Sequence, residues 1–259
     1  MPEVRLERDG GVTTLVLDDA RRKNTMTPEL GDALAARVLE LKKDPDLRAV
    51  VLTGAGDAFS AGGDLSMLER LRQASFAEAR AFMMGFYQRY LSLTELPVPV
   101  IAAVRGPAIG AGLCVALAAD LLIVDEDARL ALNFVQLGLH PGMGATYLAS
   151  RKVGAQRAAD LLLTGRRFTG RDAVAWGMAL EATPAEAVLP RAQALAAQIA
   201  ENAPLAIRAL KSELGLDRAA LLTALDREAY EQAVSYGSAD LGEGLRALTE
   251  KRKPVFSGT

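Results

Sequence analysis

Apolar and polar positions alternate and cluster along this chain in a recognisable order. Val4 to Glu7 and Val12 to Leu17 flank Asp9-Gly10-Gly11, a spacing that predicts a β-hairpin. Thr27-Pro28-Glu29 then supplies an N-cap, a proline at the first helical position and an early acid. Leu30, Leu34, Val38 and Leu41 fall on one face of the helix that should follow, to about Lys43. Ala49 to Thr53 and Val100 to Val104 are short β-branched runs that read as buried strands, and Leu121 to Val124 as another. Leu65 to Leu71 and Phe76 to Leu96 read as helices, the second ended by Pro97 and Pro99. Beyond Pro141-Gly142-Met143-Gly144 the pattern is helical almost throughout to Thr249. Strands and helices alternate first and helices cluster later, which predicts a β-rich α/β core with a C-terminal helical extension.

Two glycine-rich stretches interrupt this pattern at strand ends. Gly54 to Asp64 follows the first buried strand, and Gly106-Pro107-Ala108-Ile109-Gly110-Ala111-Gly112 follows Val100 to Val104. Small residues let a ligand approach the backbone closely. The second stretch also opens an Ala- and Leu-rich helix, whose first N–H groups lack intrahelical partners and favour negative charge.

Composition narrows the classes. A chain of 259 residues, half of them apolar, can bury a sizeable core. A net charge of −2 argues against a nucleic-acid partner. One cysteine, Cys114, precludes an internal disulfide, and one histidine leaves no ordinary zinc or iron ligand set. Met1 to Gly10 is charged throughout, unlike a secretory signal, and Ala108 to Ala119 is too short to span a bilayer. These features predict a soluble cytoplasmic protein without a membrane partner.

Phe59-Ser60-Ala61-Gly62-Gly63-Asp64-Leu65, the Gly106 to Gly112 stretch and Ala118-Ala119-Asp120 resemble the enoyl-CoA hydratase/isomerase (crotonase) superfamily. Leu137-Gly138-Leu139-His140-Pro141-Gly142, Leu163-Thr164-Gly165-Arg166, Ala175-Trp176-Gly177-Met178 and the tail Glu250 to Phe256 continue the likeness in order. The resemblance implies a spiral of repeated ββα units over residues 1–196 and a helical region, 197–259, that packs on neighbouring subunits. A homotrimer or dimer of trimers is implied, with an acyl-CoA thioester as ligand and coenzyme A entering only as part of the substrate.

By that resemblance Gly63 and Ala111 donate backbone N–H groups to the thioester oxygen. Ala61 offers its carbonyl to adenine, and Gly62 and Asp64 belong to the same loop. Lys23, Asn24 and Met26 occupy the loop beside the nucleotide, and Lys251 and Lys253 reach phosphates bound to an adjacent subunit. The carboxylates of relatives are missing: one hydratase glutamate position holds Cys114, the second Phe134, and the isomerase position Gly142. Cys114, His140, Asn133, Gln136, Tyr87 and Tyr147 remain as side chains near the implied pocket, with Glu69 and Glu78 on helices that could lean over it. Asp64 and Asp120 also read as structural, holding loops and helix ends. Three activities stay open: hydratase or isomerase chemistry with an unfamiliar acid and base, non-catalytic acyl-CoA binding, and decarboxylation. The absence of lysine between Lys43 and Lys152 weighs against the last.

Overall fold

The computed structural model describes residues 2–259. Strands β1 (Glu3–Asp9) and β2 (Val12–Asp18) form the expected hairpin, with Asp9 opposite Val12 and a Gly10-Gly11 loop. Gly10 takes φ +54°, a left-handed angle that glycine adopts at little cost. Four further strands extend this sheet in parallel: β3 (Ala49–Gly54), β4 (Val100–Val104), β6 (Leu121–Asp125) and β9 (Glu181–Thr183). The order is β1-β2-β3-β4-β6-β9.

The near-continuous apolar strands reflect cover on both faces. On one face Val12, Ala49, Val51, Ile101, Ala103 and Ile123 pack against Val188, Ala192 and Ala196 of α7 (Val188–Ala200). On the other, Leu15, Leu17, Val50, Leu52, Val100 and Val124 join the main core. Helices α1 (Pro28–Leu41), α2 (Leu65–Leu71) and α3 (Phe76–Leu91) lie on that side, as do α4 (Ala111–Leu117) and α5 (Ala145–Thr164). A second, three-stranded sheet pairs β5 (Ala108–Ile109), β7 (Leu130–Ala131) and β8 (Arg167–Phe168). The chain then adds α6 (Gly170–Ala175) before β9, and after α7 come α8 (Pro204–Leu214), α9 (Arg218–Tyr236) and α10 (Ala239–Thr249).

Capping follows the sequence: Thr27 Oγ1 accepts from Leu30 N, and Asp64 Oδ1 accepts from Met67 N at 2.8 Å to start α2. Three readings need correction. The helix from Phe76 ends at Leu91, five residues short of Leu96, and continues as a tight 3-10 turn. There Ser92 and Thr94 hydroxyls bond back to the Arg89 and Leu91 carbonyls and compete with the helical ladder. The stretch after Gly144 also contains β8 and β9, each too short to show a two-residue period but paired with β7 and β6. Finally, α7 packs on the sheet along its length and runs to Ala200, so a division at residue 196 cuts a core helix. No described helix is long and apolar enough to cross a membrane.

Candidate active site

The two glycine-rich loops are stitched together by their backbones. Phe59 and Ser60 donate to the Pro107 carbonyl at 3.0 and 3.1 Å, and Ile109 N donates back to Ser60 O at 3.1 Å. A third strand of chain joins them: Ala61 N donates to Lys23 O, Met26 N to Gly62 O and Asp64 N to Met26 O. Ser60 Oγ closes the knot by donating to Asn24 O, 2.8 Å away. Gly62 must lack a side chain here, because a Cβ would meet Ile109 O at 2.6 Å and its φ is +90°. Gly110, at φ +53°, turns the chain into α4 and donates to Ala131 O.

This stitching leaves two amides over. The bridge to Met26 uses the Gly62 carbonyl and the Asp64 amide, so the Gly63 N–H faces away from it. Ala111 is the first residue of α4 and precedes the helix's own hydrogen-bond ladder. Among the described residues neither N–H has an acceptor. Both Gly63 and Ala111 lie on the wall of one cavity of about 520 Å³. Backbone N–H groups without an acceptor favour negative charge on whatever approaches them.

The rest of that wall is mainly apolar, with Met67, Met83, Phe86, Phe134, Leu139 and Met143 prominent. Ala61, Gly62 and Asp64 line it as well. Asp64 is the one carboxylate on the wall among the described residues, and it is committed: it caps α2, accepts from Ser66 and pairs with Arg22. Burial opposes its ionisation, yet these donors hold its carboxyl below the usual range. Gly142 and Tyr87 also line the cavity, as does Asn133.

Several expected site residues lie elsewhere. Cys114 is fully buried behind the wall, with Sγ 3.7 Å from Gly142 O, and burial pushes its thiol well above the ordinary range. Without a neighbouring cation it cannot serve as a thiolate. His140 does not line the cavity; its ring Nδ1 lies 2.7 Å from Pro141 O and its backbone N–H donates to Ser235. Asn24 is a structural tie, its amide spanning Asp19 N, Ala55 O and Ala58 O, and Met26 is core. Lys23 is exposed beside the loop but off the cavity wall. Tyr147 bonds Asp217 N and Gln136 bonds Thr164 O, both outside the pocket. Glu69 pairs with Arg72 on the surface, and Glu78 closes a capping box with Ser75. Asp120 accepts from Val100 N and pairs with Lys211 at 2.6 Å, the structural role expected of it. Lys251 and Lys253 are exposed on a tail folded back onto α10 and do not line this chain's cavity.

Helix α9 falls where helix is expected, but the part its buried polar residues play is not foreseen in the sequence. Its buried stripe carries two polar residues one turn apart, Glu228 and Gln232, among Leu221, Leu225, Ala229 and Ala233. That interruption of an apolar face was the available signal. Gln232 Oε1 accepts from the Tyr87 hydroxyl at 2.8 Å, and its Nε2 donates to His140 O at 2.9 Å. Together they fill the space a side chain at position 142 would need: a Cβ there would lie 2.5 Å from Tyr87 Oη and 2.6 Å from Gln232 Nε2. Gly142→Ala is therefore expected to cost about 1–3 kcal/mol by overpacking, read as a lower denaturation midpoint. An unchanged midpoint would show that the Gln232 amide can move aside freely.

A six-stranded, mostly parallel sheet with helical cover, and two linked small-residue loops beside an apolar cleft, define a crotonase-type α/β protein. The enoyl-CoA hydratase/isomerase family model matches residues 7–259, and the chain belongs to that family. A Thermus thermophilus member is 38% identical over 263 residues, covering 98% of this chain and 100% of that one. The 1,2-epoxyphenylacetyl-CoA isomerase of Escherichia coli is 34% identical over 96% of this chain and 95% of its own. An enoyl-CoA hydratase/isomerase structure from Mycobacterium paratuberculosis superposes with a TM-score of 0.85 at 30% identity, covering 95% of this chain and 98% of that one.

Proposed function

We propose that this protein binds an acyl-CoA thioester in the cavity and carries out hydratase/isomerase-type chemistry through a backbone oxyanion hole formed by Gly63 and Ala111. The observation that supports this reading is a pair of amides with no acceptor among the described residues, both on residues that line one cavity. As the thioester becomes an enolate, charge grows on its oxygen, and donors fixed in advance stabilise that charge more than the ground state. The apolar wall accepts the acyl chain. The Ala61 carbonyl and the Lys23 to Met26 loop lie on the nucleotide side, and Lys251 and Lys253 serve an adjacent subunit in a trimer or dimer of trimers. Exposed Leu205 and Leu214 on α8, with Leu222 and Val234 on α9, support association through this helical region.

Ordinary enoyl-CoA hydration is not the reaction expected, because Cys114 and Phe134 stand at the hydratase glutamate positions; neither can take a proton from water, and a buried phenyl ring cannot deliver one to the α-carbon. That wall favours two further readings on one observation, its lack of an uncommitted carboxylate. Decarboxylation needs no base: the C–C electron pair flows to the thioester oxygen as carbon dioxide leaves. A pure acyl-CoA carrier needs neither acid nor base.

One experiment separates these readings. Saturating butyryl-CoA should stabilise the fold by about 2.7 kcal/mol at a hundredfold excess over Kd, seen as a rise in melting temperature. Crotonyl-CoA should keep its enone absorbance. Mass spectrometry of enoyl-, β-ketoacyl- and malonyl-type esters then reports double-bond shift, loss of carbon dioxide or no change. Absence of any thermal shift would remove the thioester site, and rapid loss of enone absorbance would restore hydration.

A further inference from the structure

We infer that Gln232 is a specificity-determining residue whose amide pairs with an oxygen carried on the acyl chain, so that the preferred thioester is oxygenated rather than a plain hydrocarbon. This rests on the thioester reading above. The side chain lines the cavity yet is only 2% exposed. Its amide has two N–H donors and a carbonyl with two lone pairs. One donor is spent on His140 O and one lone pair on Tyr87 Oη. Among the described residues, the second N–H and the second lone pair have no partner. A buried amide with half its capacity open is costly unless a ligand or water completes it.

The place of this amide matters as much as its valence. It stands where the side chain of residue 142 would be, and Cys114 Sγ touches the Gly142 carbonyl. Ala111 and Gln232 line the same cavity, so an ester whose carbonyl meets the Ala111 amide carries its acyl chain into the space that the Gln232 head borders. Tyr87 remains a neutral phenol, since burial pushes its hydroxyl well above the ordinary tyrosine range. It therefore holds Gln232 Oε1 as a fixed donor and leaves the free N–H to the ligand. A keto oxygen accepts from the free N–H, a hydroxyl can also donate to the open lone pair, and a methylene strands both.

The test compares the affinity of the intact protein for butyryl-CoA, 3-hydroxybutyryl-CoA and acetoacetyl-CoA. The oxygenated esters should bind at least about tenfold more tightly. Gln232→Met, close in shape, should erase that preference while keeping butyryl-CoA affinity within about twofold. Tyr87→Phe, which frees the amide to swing, should reduce the preference with the fold intact, so the conclusion does not hang on one variant. Equal binding of all three esters by the wild type, or a preference that survives both substitutions, overturns this inference and leaves the thioester site standing. Failure of every ester to bind removes the thioester site itself and this inference with it.

Discussion

Glu228→Ala should lower the stability of this protein more than any other single change outside the sheet, by about 3–5 kcal/mol. Glu228 reaches from α9 to the start of α5 and is 1% exposed. One carboxyl oxygen accepts from Gly144 N at 2.6 Å, and the other from Thr146 N at 2.8 Å and Thr146 Oγ1 at 2.6 Å. Removing the carboxyl strands two backbone donors at a helix N-terminus and detaches α9 from the segment that carries Gly142 and Met143. The expected fall in melting temperature is on the order of 10 °C; a fall of a degree or two would mean that water replaces the carboxyl without loss.

The same residue makes stability depend on pH. Burial pushes the Glu228 carboxyl up to about 7, against hydrogen bonds that pull it down. The folded state therefore binds this proton more tightly than the unfolded chain does. Its contribution is fully present below the ordinary carboxyl range and is lost as pH rises through about 7. The buried groups that feel its charge, Cys114 and Tyr87, stay neutral throughout that range because burial raises both. Thr146 adapts to protonation, since its hydroxyl can turn from donor to acceptor. Melting temperature should decline between pH 5 and 8 in the wild type, and Glu228→Gln, which does not titrate, should flatten that slope.

The second large effect is chemical. Ala111→Pro should abolish one oxyanion donor while leaving the fold in place, because proline is tolerated at the first position of a helix, where its missing N–H has no intrahelical role. Acetoacetyl-CoA offers a readout independent of the natural reaction: two aligned donors favour its enolate, which has its own near-ultraviolet band. The variant should lose about 10²-fold in the acidity of the bound ligand, roughly 3 kcal/mol. Ala111→Gly retains the N–H and should keep the band. An undiminished band in the proline variant would sink the oxyanion assignment for this residue.

How much of this could be read from the chain alone depends on the range of the interactions involved. The hairpin at Gly10-Gly11, the Thr27 and Asp64 caps and the doubly buried strands were legible because neighbouring residues decide them. So were the two small-residue loops, whose backbone angles at Gly62, Gly106 and Gly110 only glycine takes easily, and with them the family. The pocket's polar equipment was not legible. Cys114 and His140 read as candidates by type, yet packing turned one thiol into core and one ring toward a backbone carbonyl. Asn24, in a loop expected beside a nucleotide, proved to be a tie between three segments.

Local rules of periodicity, capping and turn geometry settled the order of elements and the paired glycine loops, since each needs only a few adjacent residues. Only the tertiary structure decided that Glu228 would bind the start of α5 and that Gln232 would stand in for a side chain at position 142. Those contacts join residues 82 to 92 positions apart, and they exist because α9 lays its one interrupted apolar stripe beside the cavity. No local pattern encodes which distant backbone groups a buried carboxyl or amide will meet.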